Sequence, residues 1–156
     1  MKRQIARGLT MLMLVVGLAF ASAAVANAQS GTQLTAQIPF DFIVADKTLR
    51  SGQYQVSGAT IAGDGLAIRD AGGKNSVMRL TKNAGPDRSG DMRARLVFHR
   101  YGSTYFLSQV WVNGRGRELP KTKQERAAEH ELKAIAAYRG ETKPVYEVVS
   151  LIVTSR

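Results

Sequence analysis

"RLVFHRYGSTYFLSQVW", Arg95 to Trp111, gathers one histidine, two arginines, two tyrosines, two phenylalanines and the only tryptophan of the chain. The stretch reads as two strands around a tight turn. Gly102-Ser103 supplies a two-residue hairpin loop with glycine at its first central position. That register sets Arg100 opposite Tyr105, Phe98 opposite Leu107, Leu96 opposite Gln109 and Ala94 opposite Trp111. The other face pairs His99 with Phe106 and Val97 with Ser108. Opposed pairs of this kind stabilise a hairpin by about 0.2–1 kcal/mol each. Aromatic residues on both faces predict a central hairpin in a covered sheet, so burial rather than chemistry accounts for the composition.

The same alternation extends outward. Ile38, Phe40, Phe42 and Val44 alternate with Pro39, Asp41, Ile43 and Ala45, which predicts one opening strand with a buried face. Pro39, lacking an amide hydrogen, belongs near its start or on an edge. Asp46-Lys47 and Ser51-Gly52 read as turns, with Tyr54 and Val56 facing inward between Gln53 and Ser57. Gly63-Asp64-Gly65 and Ala71-Gly72-Gly73-Lys74 separate further short strands, and Asn83 to Asp91 reads as a mobile surface loop. Asn113 to Lys143 holds a flexible basic connector, then one amphipathic helix at about 123–139. Thr122 and Glu125 form its capping box, Ala128, Leu132, Ile135 and Ala136 its narrow apolar stripe, and Glu129 and Lys133 a favourable pair one turn apart. A last strand, at about 145–154, has Val145, Val149, Leu151 and Val153 on one face and Tyr146, Val148 and Ile152 on the other. Two apolar faces predict an interior position in the sheet. The expected fold is mainly β: an antiparallel barrel or sandwich of about seven or eight strands, with one amphipathic helix before the last strand.

The N-terminus reads differently. Lys2, Arg3 and Arg7 precede an apolar run from Leu9 to Val25, and Ala26-Asn27-Ala28 is a small-x-small cleavage signal. Residues 1–28 therefore read as a secretory signal peptide, too short in its apolar core to span a bilayer. Residues 29–156 are left as a single β-rich domain with no transmembrane segment. Cysteine is absent. That excludes disulfides, thiolate metal sites and a thioether-linked lipoprotein. The chain carries 22 Lys+Arg and 12 Asp+Glu. Three of the cations and none of the acids lie in the leader, so nineteen against twelve, +7, stay with the domain. An exported protein of this charge can meet anionic envelope surfaces or polysaccharide, while nucleic acid is not an expected partner.

Catalytic signals are missing. His99 and His130 show no metal-ligand spacing, G-x-S-x-G is absent, and no carboxylate within the hairpin can orient His99. No catalytic residue, metal ligand or cofactor is assigned. Glu118, Glu125, Glu129 and Glu131 read as capping and solvated-face residues. His99, Arg100, Tyr101, Tyr105 and Trp111 form a candidate ligand-binding set, since aromatic and guanidinium groups on a sheet can stack a ligand. Arg115 and Arg117, flanked by Gly114 and Gly116, form a candidate anion site.

Two phrases, Ile38 to Val56 and Leu96 to Trp111, resemble a family of small exported bacterial proteins of uncharacterised function. The shared pattern is K-T-L-x-x-G-x-Y, here Lys47-Thr48-Leu49, Gly52 and Tyr54, followed by F-H-R-Y-G-x-x-Y-F-L, here Phe98 to Leu107. Arg50 stands where that family usually has proline. The resemblance implies export and a β-rich domain; it implies no activity. The reading is thus an exported non-catalytic binding or structural module of the cell envelope, in the periplasm or outside the cell. One alternative is a barrel carrier of an apolar ligand in a cavity lined by Phe42, Tyr54, Phe98 and Trp111. The other is an enzyme using His99 and Arg100.

Overall fold

A computed structural model describes residues 32–155, except 61–62, 88 and 141–144. The signal peptide read at residues 1–28 lies outside the described residues. Among the described residues, twelve strands and one helix follow in order: β1 Leu34–Ile38, β2 Phe42–Val44, β3 Lys47–Leu49, β4 Gly52–Gly58, β5 Gly65–Asp70, β6 Ser76–Leu80, β7 Lys82–Pro86, β8 Arg95–Tyr101, β9 Thr104–Val112, β10 Arg115–Glu118, α1 Lys123–Tyr138, β11 Glu147–Ile152 and β12 Thr154–Ser155. The fold is mainly β, as the alternation predicts. Strands exceed the expected seven or eight because β3, β7 and β10 form where turns or loops were expected, and the opening and closing runs each divide between the two sheets.

One sheet has the order β12-β1-β4-β5-β6; the other has β11-β8-β9-β10-β7, with β2 and β3 attached. The β2 strand runs parallel to β9 along its first half, through Phe42↔Tyr105 and Ile43↔Phe106. The second half of the same β9 edge is taken by β10, antiparallel. The inward faces of both sheets share one core, which includes Leu34, Ile38, Phe42, Val56, Ile68, Leu96, Phe98 and Val110. No described helix is long and apolar enough to cross a membrane.

Four expectations are corrected. The predicted opening strand is two strands in different sheets, because the chain crosses over at Pro39–Asp41. Proline cannot donate to a ladder at that point, yet the inward alternation survives the crossing: Ile38 and Phe42 are both buried. The predicted loop at Asn83–Asp91 begins as β7, paired to β10, and its Asp87 is tied to Arg95 by a 2.7 Å ion pair. The predicted flexible connector holding Arg115 and Arg117 is β10 itself, joined to β9 through Asn113 and Gly114, both left-handed. Among the described residues the closing strand β11 is a sheet edge, paired only with β8, and its outward Val148 and Ile152 are exposed.

The hairpin keeps the predicted register at its tip. Tyr101 faces Thr104, Arg100 faces Tyr105, His99 faces Phe106 and Phe98 faces Leu107, around Gly102 at φ +60°. Beyond that, a bulge shifts the register. Leu96 pairs with Val110 instead of Gln109, and Arg95 instead of Ala94 pairs with Trp111, leaving Ser108 as the extra residue. The cause is burial. Strict alternation would send Gln109 and Trp111 inward with Leu107; one inserted residue sends Val110 inward and turns Trp111 to the outer face. The Ser108 carbonyl accepts from the Leu119 amide at 2.8 Å.

Candidate functional site

The helix begins where the outer face of the hairpin needs a partner. Thr122 caps α1, its hydroxyl accepting from the Glu125 amide at 3.0 Å. The Lys123 amide donates to Asp46 Oδ1 at 3.2 Å, so a residue from the β2–β3 turn satisfies a second free amide of the helix start. The Glu125 side chain does not return to the cap. It turns into the sheet, where Oε1 lies 2.9 Å from His99 Nδ1 and 3.5 Å from the Tyr101 hydroxyl. The His99 and Glu125 side chains keep 14% and 4% of their exposure. This corrects one expectation, since Glu125 is not on a solvated face; His99 meets a carboxylate that the hairpin itself does not supply. The partner comes from 26 residues downstream, beyond the hairpin.

Aromatic rings close around this pair. The Tyr146 ring lies 4.3 Å from the imidazole and 5.4 Å from Tyr101, and Phe106 meets Tyr101 edge-on at 5.7 Å. Burial, with Glu125 and then Glu129 nearby, pushes the Tyr101 hydroxyl well above its ordinary range. It therefore stays a neutral donor toward the carboxylate. A second ring of charges lies beside them. Lys121 and Lys133 bind Glu129 at 2.6 and 2.7 Å, and their hydrogen bonds hold its carboxyl down at about 2. Burial pulls the Lys121 ammonium down, but the bond to Glu129 together with the charges of Glu129 and Glu125 outweighs it, and the net shift is upward. Lys121 also sits 5.7 Å over the Tyr146 ring.

Glu125 is the only buried residue of α1; the helix leaves Ile135 and Tyr138 exposed. The cluster thus joins helix to sheet through one polar turn. A carboxylate on an imidazole nitrogen fixes the ring's orientation, as acid–base sites require. Among the described residues no hydroxyl hydrogen-bonds the imidazole, and no three His, Asp or Glu side chains gather to hold a metal.

The five candidate ligand-binding residues do not form one site. His99 and Tyr101 belong to the cluster above. Arg100 and Tyr105 lie at the hairpin tip on the other face, where the guanidinium sits 5.5 Å over the Tyr105 ring. Arg100 also donates to the Gly102 carbonyl and pairs with Glu147 at 3.1 Å. Tyr105 stacks on Phe40 at 3.8 Å. Trp111 is buried on the outer face under Arg95, at 4.7 Å, and its Nε1 donates to Gln109 Oε1. The four residues expected to line an apolar cavity do not do so. Phe42 meets Tyr54 and Phe98 edge-on at 5.2 and 5.6 Å, while Trp111 is on the opposite side of its sheet.

Arg115 and Arg117 are brought together. They project from one side of β10, and Gly116 between them faces Trp111 and Ala84. The pairing of β10 with β7 jumps from Arg115↔Pro86 to Arg117↔Asn83. Gly85, at φ +81°, takes up the extra residue, and Pro86 offers no amide to the ladder. The opened pair forms a groove of about 450 Å³, walled by Asn83, Gly85, Pro86 and both arginines, with no acidic residue in its lining among the described residues. Asn83 Oδ1 is occupied by the Gly85 amide at 3.1 Å. Its side-chain nitrogen remains available as a donor.

Sequence reasoning missed Glu125, Tyr146, Lys121 and Glu129 as members of the polar cluster. The Thr122–Glu125 spacing was the available signal, since it fixes where the helix starts and which acid stands in its first turn. Compared with known proteins, the chain matches no family model, no curated protein and no solved structure.

Proposed function

We propose that the chain is an exported, non-catalytic binding module of the bacterial cell envelope that holds anionic surface groups in the β7–β10 groove. The observation that carries this reading is the groove itself: two arginines on one side of an opened strand pair, with no acid lining it among the described residues. A guanidinium presents a planar fork of donors suited to phosphate or carboxylate. The +7 balance of residues 29–156, and the leader read at 1–28, support an anionic envelope partner. We further propose that the two sheets pack face to face as a sandwich rather than closing as a barrel, and that the chain belongs with the small exported β-proteins it resembles.

The test is co-sedimentation with phosphatidylglycerol vesicles, alongside binding to alginate, across a salt series. A cation near an anionic surface contributes about 1 kcal/mol, so replacing both Arg115 and Arg117 with alanine should weaken binding about thirtyfold. Binding should also fall as salt rises. Equal binding by the double variant, or binding indifferent to salt, rejects the reading.

A further inference from the structure

We propose that the concave site between the β3–β4 turn and the end of β5 binds a neutral saccharide or related polyol through its hydroxyl groups. The site encloses about 410 Å³ and does not share a residue with the basic groove. That volume suits one or two sugar rings. Asp70 is one wall. Its Oδ2 accepts from Asn75 Nδ2 at 2.8 Å, while its Oδ1 has no hydrogen-bond partner among the described residues. A carboxylate oxygen without a hydrogen-bond partner keeps acceptor capacity that a ligand hydroxyl can use. The Asn75 side chain, and then the amides of the following turn, hold this acid below its ordinary range, so it stays an acceptor at neutral pH.

The other walls decide the ligand class. Arg50 brings one positive charge to set against Asp70, so an anion or a cation would each meet a like charge. Thr48, Ser51 and Gln53 offer uncharged groups that both donate and accept. The Tyr54 hydroxyl already donates to the Arg50 carbonyl at 2.7 Å and retains acceptor capacity. A hydroxyl can give a proton to Asp70 and take one from Arg50, which suits a polyol and no simple ion. The K-T-L-x-x-G-x-Y phrase acquires a second use here. Leu49 and Tyr54 belong to the core, yet they also line this site together with Thr48 and Gly52.

The experiment uses isotope-labelled protein expressed from the full sequence, with amide chemical shifts followed during titration with cellotriose, maltotriose and chitotriose. At least one should perturb amides within residues 48–54 and 70–75. Gln53→Ala and Asp70→Asn should each weaken that binding on the order of tenfold or more. Gln53 is exposed, so its substitution tests the site even if the Asp70 variant fails to fold. The proposal is overturned by any of three results: no perturbation from any trisaccharide, perturbation outside these segments alone, or unchanged affinity in Gln53→Ala. Tighter binding of glycerol 3-phosphate at the same amides also overturns it.

Discussion

Replacing Glu125 with alanine removes the carboxylate that joins the first turn of α1 to the sheet. Two contributions set the cost. The hydrogen bond to His99 is part-buried and involves a carboxylate acceptor, a class of bond that contributes about 1.5–3 kcal/mol. An acid in a helix's first turn adds about 0.3–1 kcal/mol through the helix dipole. Together these come to about 2–4 kcal/mol. Because no other residue of the helix is buried, the loss should be local: α1 detaches while the two sheets persist. A detached helix of 16 residues is marginal in water. Native-state hydrogen exchange distinguishes local from global opening. Amides of α1 should exchange about 30- to 1000-fold faster in Glu125→Ala, with β8 and β9 little changed. Loss of protection in β8 and β9 by the same factor would refute the reasoning, because the cluster would then be part of one cooperative core. Unchanged exchange in α1 would refute it as well.

Two further outcomes follow from the geometry. Glu129 is held from 4.5 down to about 2 by hydrogen bonds from Lys121 and Lys133. A depressed carboxyl contributes stability that is present above the ordinary value and lost as pH falls through the folded one. Helix anchoring should therefore weaken between about pH 4.5 and 2, and helical circular dichroism of Glu129→Gln should lack that part of the acid transition. Gly116→Ala should destabilise the fold by about 1–3 kcal/mol in urea unfolding, since overpacking has that cost. The added Cβ would stand 2.7 Å from Trp111 and 2.8 Å from Ala84, so tryptophan emission should shift with it.

Local chemistry made the hairpin legible and left the cluster around it hidden. Gly102-Ser103 and the alternation beside it were enough to pair Phe98 with Leu107. The bulge at Ser108 was not readable, because it exists to satisfy a core built by the opposite sheet. Asn113-Gly114 carries a strong hairpin signal, but one glycine and two arginines after it suggested a loop rather than β10. Pro39 marked a strand boundary correctly in kind. Its consequence, a change of sheet between Ile38 and Phe42, depends on contacts far along the chain. The same holds for Glu125. Its spacing from Thr122 identified a helix start, and only the packing of α1 on β8 turned its side chain toward His99. The apolar faces of the last strand predicted contact on both sides, whereas Val148 and Ile152 remain open on an edge.

The short β12 strand pairs Ser155 with Leu34, residues more than a hundred positions apart. The seam between first and last strands is therefore a contact of very long loop closure, whose ordering entropy must be met before its few bonds form. Assembly should proceed from the local hairpins and finish at this seam. Until it closes, β1 has a vacant margin, and the nascent domain passes through a stage in which that margin can recruit another chain.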